Sequence, residues 1–332
     1  MEISYSAAVW MVLLTSFMWG FWHQFVKRIS SWPLPAFMIW MFTSGALVVW
    51  GCVLAFQGSM VPEGILTAIG GAREYALLAV VCGAGFAIGM QIQLYVVSKM
   101  GLIYSTSVVS TSSILLGTLF SSILGGIPED TSFVKILFGA LILLAATLTC
   151  QRAGVEKDRH LRVPNETIRR NSRKYLLILL AYLIFFSQSY TIGMSVSVRT
   201  DLRPNGLPGP VAVGMLAVGA AAAVWIVCGA MLLRKGELRL LCRPGKPVCF
   251  LYAVVGGVCC LGGDLLHNIA SPVVSVAIAW PLSNLSGVWQ YFWGILSGEF
   301  RGAGRRAKVL LGVGMSLFVL GVIWLALARY GN

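Results

Sequence analysis

Charged side chains are scarce in this sequence. Only 11% of its 332 residues are Asp, Glu, Lys or Arg, while 58% are hydrophobic. Soluble globular domains run nearer ~25% charged, and a water-facing surface for a chain of this length cannot be assembled from so little. Cysteines in metal or redox spacing are also missing. Cys52, Cys82, Cys228, Cys259 and Cys260 fall inside apolar runs, Cys150, Cys242 and Cys249 near their ends, and no C-x-x-C occurs. That excludes the usual zinc and thioredoxin-like patterns and argues against a disulfide framework. No G-x-S-x-G, H-E-x-x-H or G-x-x-x-x-G-K-[ST] run is present, and Gly245-Lys246 is followed by Pro247. Acyl transfer, zinc hydrolysis and nucleotide-driven work therefore lack their signature residues. Neither an enzyme nor a cofactor nor a bound metal is expected. The first apolar run has no basic leader and is followed by Lys27-Arg28 rather than a small-residue cleavage site, so it reads as a span and not a signal peptide.

What the sequence has in abundance is apolar runs of membrane length, about 20 residues each. They predict ten helices: Tyr5–Val26, Pro35–Phe56, Tyr75–Val97, Leu102–Leu124, Phe133–Cys150, Tyr175–Ser195, Pro210–Leu233, Val248–Asn268, Pro272–Leu296 and Val309–Ala328. In lipid every backbone polar group must be satisfied within its segment, which forces helices. The alternating ten-residue strands of a membrane β-barrel are not seen. The expected fold is an all-α integral membrane protein lying in the bilayer as a multi-pass protein.

One long polar run interrupts the apolar ones, Gln151–Lys174, with eight Lys or Arg against Glu156, Asp158 and Glu166. Five apolar segments precede it and five follow. The expected organisation is residues 1–150 as an N-terminal five-helix repeat, 151–174 as a basic cytoplasmic connector, and 175–332 as a C-terminal five-helix repeat. Because five is odd, homologous halves would insert with opposite orientation, the inverted-repeat plan of many secondary transporters. Val81-Cys82-Gly83…Gly89 can be laid on Val255-Gly256-Gly257…Gly263, a weak internal match.

The net charge of +13 would suggest nucleic acid in a soluble protein. Here the cations sit in alternate short loops, 20 on one side of the ten spans and 5 on the other. That is the positive-inside pattern. It predicts both termini outside and the connector inside; the expected location is a plasma (bacterial inner) membrane, and no nucleic-acid partner is expected.

A few polar residues fall within the spans. Of twelve carboxylates, Asp264 alone lies inside one, where an ionisable group costs about 2.5–3.5 kcal/mol on insertion scales. His267 and Asn268 follow at i+3 and i+4, on the same helix face. Asp264 and His267 are candidates for proton coupling and Asn268 for solute binding; a solvated outer vestibule, or an aspartate kept neutral by hydrogen bonds, is the alternative. In the third segment Gln91 and Gln93 point about 200° apart. Gln93, which the internal match lays on His267, is the one expected at the site, against a helix–helix contact. In the ninth segment Trp280 and Asn284 are four residues apart beside Pro281, and an aromatic face with a neighbouring amide suits a carbohydrate. Trp293 fits the interfacial aromatic belt. Trp19 near the end of the first segment and Gln188 at mid-depth in the sixth complete the candidates. His23, a turn from the interface, and Ser112-Ser113 are weaker.

The run Phe292-Trp293-Gly294-Ile295, Gly298-Glu299-Phe300-Arg301 and Ala303-Gly304-Arg305-Arg306 before the last apolar segment resembles the drug/metabolite transporter superfamily. Within it the chain is similar to the glucose/rhamnose porters, including the L-rhamnose–proton symporter, and to the plant ureide permeases. Gly89-Met90-Gln91-Ile92-Gln93-Leu94-Tyr95 followed by Lys99-Met100-Gly101 resembles both branches, though these tend to carry Asn where this chain has Met90. At the corresponding place in the eighth segment this chain has Asp264, and it lacks the P-loop-like motif of the plant central loop. The resemblance implies ten transmembrane helices as two inverted five-helix repeats, a central cavity, and uptake coupled to a cation, usually protons. The function expected is secondary active transport, a proton-coupled symport of a small neutral polar solute, with a rhamnose- or glucose-type sugar first. A ureide or nucleobase permease of the same fold, or an exporter of amino acids or drugs, is the alternative.

Overall fold

In the computed structural model, residues 3–26, 28–29, 32–100, 102–127, 132–161, 177–178, 181–182, 185–200, 203–296, 298 and 300–327 are described. The helices are α1 (Tyr5–Val26), α2 (Leu34–Ala55), α3 (Gln57–Met60), α4 (Ile65–Gly71), α5 (Arg73–Met100), α6 (Leu102–Gly125), α7 (Phe133–His160), α8 (Ser189–Ser197), α9 (Gly209–Arg234), α10 (Val248–Val274), α11 (Val276–Ser283), α12 (Ser286–Leu296) and α13 (Arg305–Leu327), with a 3-10 turn at Leu238–Leu241. Among the described residues no strand forms beyond isolated bridges at Val198–Leu207 and Thr200–Arg203. Seven of these helices are long and apolar enough to cross a membrane. Large apolar side chains also point outward, Trp10, Val134 and Ile226 each more than 70% exposed. Outward apolar side chains suit lipid as the surrounding solvent. The chain is an all-α membrane protein.

The chain divides into two compact units, each drawing on both ends of the sequence. The first comprises Met1–Ile88 and Ser189–Val274. In it α10 packs along α1 and α2, and α9 along α2 and α10. Lipid tails are as apolar as leucine, so such contacts rest on close packing rather than hydrophobic exclusion. Gly45 on α2 shows how close: a Cβ there would come within 2.8 Å of the Gly257 carbonyl oxygen on α10. Outside the spans, Arg199 pairs with Glu63 at 2.9 Å and donates from Nε to the Gly206 carbonyl. The second unit comprises Gly89–Gln188 and Ser275–Asn332. There α7 and α13 form the main pair, with α6 against α7 and α11.

Several boundaries differ from the sequence expectation. The fifth helix does not stop at Cys150; α7 runs on to His160. Residues 151–160 are polar but hold only one glycine and no proline, so nothing breaks the helix. Positions 162–174 of the connector lie outside the described residues. The eighth helix does not stop at Asn268 but continues to Val274 with Pro272 inside it. Consequently the ninth does not begin at Pro272. It begins at Val276, after Ser275 at φ 79°, whose hydroxyl caps the Ala277 N–H. It is also broken in two, α11 ending before the turn at Asn284-Leu285 and α12 starting at Ser286. In the sixth expected segment residues 175–176, 179–180 and 183–184 lie outside the described residues. A turn at 186–188 precedes α8, and Ser187 N–H reaches back five residues to the Tyr182 carbonyl, a widened turn.

Candidate functional site

In the first unit the polar residues of α10 meet aromatic residues of α1 and α8. Extension of α10 to Val274 leaves Asp264 ten residues from the helix end, about 15 Å at 1.5 Å per residue. Asp264 is thus deeper than the sequence suggested and beyond the reach of the helix terminus. It is 2% exposed. Trp19 of α1, whose Nε1 donates to the Cys260 carbonyl at 3.2 Å, stands beside the Asp264 carboxyl group. The Trp19 ring can approach because position 263 is glycine: a Cβ there would sit 2.9 Å from the indole. Asp264 Oδ2 is buried without a hydrogen-bond partner.

His267 is equally buried and lies against Trp19, ring centroids 5.6 Å apart. Asn268 Nδ2 lies 2.9 Å from both the Tyr190 hydroxyl and the Asp264 carbonyl oxygen. Tyr190 of α8 stands edge-on to Trp19 at 5.9 Å and contacts His267 and Phe86. The sequence candidates Trp19, Asp264, His267 and Asn268 therefore form one cluster. Tyr190 was missed; a tyrosine buried in a span needs a partner for its hydroxyl, and that requirement was its signal. A buried carboxylate oxygen without a hydrogen-bond partner, among aromatic rings, is chemically able to take up a proton.

In the second unit Trp280 and Asn284 come together as the sequence spacing predicted. Trp280 Nε1 donates to the Ser113 carbonyl at 3.0 Å. Asn284 Nδ2 donates to the Trp280 carbonyl at 2.9 Å, and Ser113 Oγ donates to Asn284 Oδ1 at 3.3 Å. The helix break at Asn284-Leu285 opens a cavity of about 60 Å³ beside Asn284, lined also by Thr147, Gln151, Ser286, Gln290 and Tyr291. None of its described lining side chains carries a formal charge. Its volume suits a few waters and is well below the ~300 Å³ of ordinary ligand pockets. Gln151 and Gln290 join this polar set; Gln151 had been read as the first residue of the connector, because the helix was expected to end before it.

The remaining candidates make other contacts. Gln93 Oε1 accepts from the Tyr182 hydroxyl at 3.3 Å, a contact within the second unit. Gln188 is buried in the turn before α8; its Nε2 donates to Ser187 Oγ and its Oε1 has no hydrogen-bond partner. His23 stacks on Trp22 and lies 2.8 Å from the Trp19 carbonyl, a local contact within α1. Among the described residues no group of three or more His, Cys, Asp or Glu could hold a metal ion.

No family model and no curated protein matches this chain. A solved crystal structure, described only as that of a protein, is similar over 96% of this chain and 98% of its own, with a TM-score of 0.62 and 16% identity. Similarity at that identity shows the fold alone.

Proposed function

We propose that this protein is a secondary active transporter, a proton-coupled symporter for a small neutral polar solute, with a monosaccharide of rhamnose or glucose type as the first candidate. The observation that carries the proposal is Asp264, a carboxylate buried in a membrane span with one oxygen unmatched. An ionisable group at such a place is costly to insert and marks a pathway for ions or solute. In this mechanism Asp264 takes up the proton, and Trp19, His267 and Asn268 surround the group.

Solute selection falls to neutral donors and acceptors: Asn284 and Ser113 beside the Trp280 ring. The interruption between α11 and α12 at Asn284 supports a solute site there, because broken helices expose backbone groups where transporters bind their cargo. The lack of a formal charge among the described lining side chains of the adjoining cavity favours an uncharged solute over an amino acid or a cationic drug. The proposed architecture is ten transmembrane helices in two inverted repeats, with both termini outside and residues 151–174 cytoplasmic. A thermal-shift screen of the purified protein against monosaccharides, ureides and nucleobases tests the assignment. Stabilisation by a monosaccharide supports it; stabilisation by ureides or nucleobases alone replaces the substrate class.

A further inference from the structure

Beside the turn joining α12 to α13 lies an open groove of about 440 Å³, well away in sequence from Asp264 and not used by the transport proposal. Its lining is mixed: Arg301 and Lys308 are basic, and Ile295, Phe300, Leu311, Gly312 and Met315 are apolar. Lys308, Leu311, Gly312 and Met315 fall at i, i+3, i+4 and i+7, one face of α13. From Lys308 to Met315 the helix rises about 10 Å, the step from headgroup level into the upper acyl chains. The end of the turn and the first turn of α13, residues 300–308, are basic: they hold Arg301, Arg305, Arg306 and Lys308 and no carboxylate. Lys157, 5.3 Å from the Phe300 ring centroid, is offset by Asp158 at 3.2 Å. Glu156 offsets Arg306 at 3.8 Å, and Glu299, the adjoining acid, lies outside the described residues.

We propose that this groove is a binding site for an anionic phospholipid, its phosphate between Arg301 and Lys308 and one acyl chain along Leu311, Gly312 and Met315. A free phosphate would use only the basic side chains and leave the apolar floor bare. A zwitterionic lipid would bring its own cation against two basic side chains. Gly312 keeps the floor open: a Cβ there would meet nothing within 4 Å, so a larger side chain can fill the groove without displacing the helix. Basic pockets at the membrane surface recognise anionic headgroups in this way.

Native mass spectrometry of the detergent-purified full chain, titrated with phosphatidylglycerol or phosphatidylcholine of matched acyl chains, tests the proposal. The wild type retains phosphatidylglycerol preferentially. Arg301→Gln and Lys308→Gln each weaken it about fivefold, the factor given by ~1 kcal/mol per cation at an anionic surface, and leave phosphatidylcholine unchanged. Gly312→Leu lowers retention of both lipids with the cations intact, and it decides the matter if the charge variants fail to purify. Equal retention of the two lipids by the wild type, a preference that survives the double charge variant, or full retention by Gly312→Leu would each overturn the proposal. Displacement of phosphatidylglycerol by millimolar inorganic phosphate would overturn it in favour of a soluble anion site.

Discussion

Gly117 on α6 lies directly beneath the Trp280 indole, and replacing it with alanine tests how that ring is held. A Cβ at position 117 would fall 2.6 Å from Trp280 Cε2 and 3.0 Å from Cδ1, and closer still to Nε1. All three atoms belong to the five-membered ring. The indole must therefore tilt, and its 3.0 Å hydrogen bond to the Ser113 carbonyl is lost. Overpacking of this kind costs ~1–3 kcal/mol, and the hydrogen bond adds ~1 kcal/mol. Gly312→Ala is the control on α13, where a Cβ meets nothing and helix propensity gains ~1 kcal/mol. The two alanines should thus move stability in opposite directions, read as unfolding midpoints in a fixed detergent. Trp280→Phe removes the atoms that clash and the hydrogen bond, so in that background Gly117→Ala should keep only the ~1 kcal/mol helix-propensity gain, a coupling of ~2–4 kcal/mol in the double-mutant cycle. Equal effects of Gly117→Ala with and without the indole would refute the packing described for Trp280.

Three further outcomes follow from the same geometry. Trp280→Ala and Asn284→Ala should each abolish solute binding, a loss of ~2–4 kcal/mol from one aromatic face and one hydrogen bond, while the protein stays monodisperse; unchanged binding by calorimetry in both would reassign them to packing. A reporter fused after Asn332 should be active only outside the cytoplasm and one inserted within 162–174 only inside, and the reverse pattern would invert the proposed topology. Glu63 is held below its ordinary carboxylate value by a hydrogen bond from its own backbone N–H and by Arg199, against an opposing effect of burial. Its contribution is therefore present above the unfolded-state value near pH ~4.3 and is lost as pH falls through the depressed folded value. Glu63→Gln should flatten that acid-side loss by under ~1 kcal/mol, as befits a partly exposed pair; an unchanged acid limb of the melting curve would count against it.

The helices were largely legible because lipid permits few alternatives. α1 runs over the residues expected of it, Tyr5–Val26, since its apolar run ends abruptly at Lys27-Arg28. The ends of α7 and α10 were misjudged for opposite reasons. At α7 polarity was mistaken for a loop, although Glu156, Lys157 and Arg159 are good helix formers. At α10 Pro272 reads as a helix start, where its missing N–H costs least. It lies inside instead, where its missing N–H leaves the Asn268 carbonyl without its usual partner. Gly209 packs at that carbonyl, with room for no Cβ: one would stand 2.7 Å from the oxygen. Local sequence could not show a contact between residues 59 positions apart.

For the polar residues, spacing found what shares a helix face and missed what crosses between helices. Asp264, His267 and Asn268 were readable as i, i+3 and i+4, and Trp280 with Asn284 as i and i+4. Tyr190 was not, because its partner Asn268 is supplied by packing of distant segments. The break at Asn284-Leu285 also escaped notice. Pro281 announced a disturbed helix, but the interruption comes three residues later, where the Asn284 side chain bonds the Trp280 carbonyl.

The most direct test is solute flux in proteoliposomes with the wild type and Asp264→Asn side by side. The wild type should concentrate a neutral monosaccharide when an inward proton gradient is imposed, and lose accumulation when the gradient is collapsed. Asp264→Asn, fixed in a form resembling the protonated carboxyl, should still exchange labelled for unlabelled solute but no longer concentrate it. Accumulation by Asp264→Asn at the wild-type level, or wild-type flux no greater than that of protein-free vesicles, would contradict proton-coupled transport through Asp264.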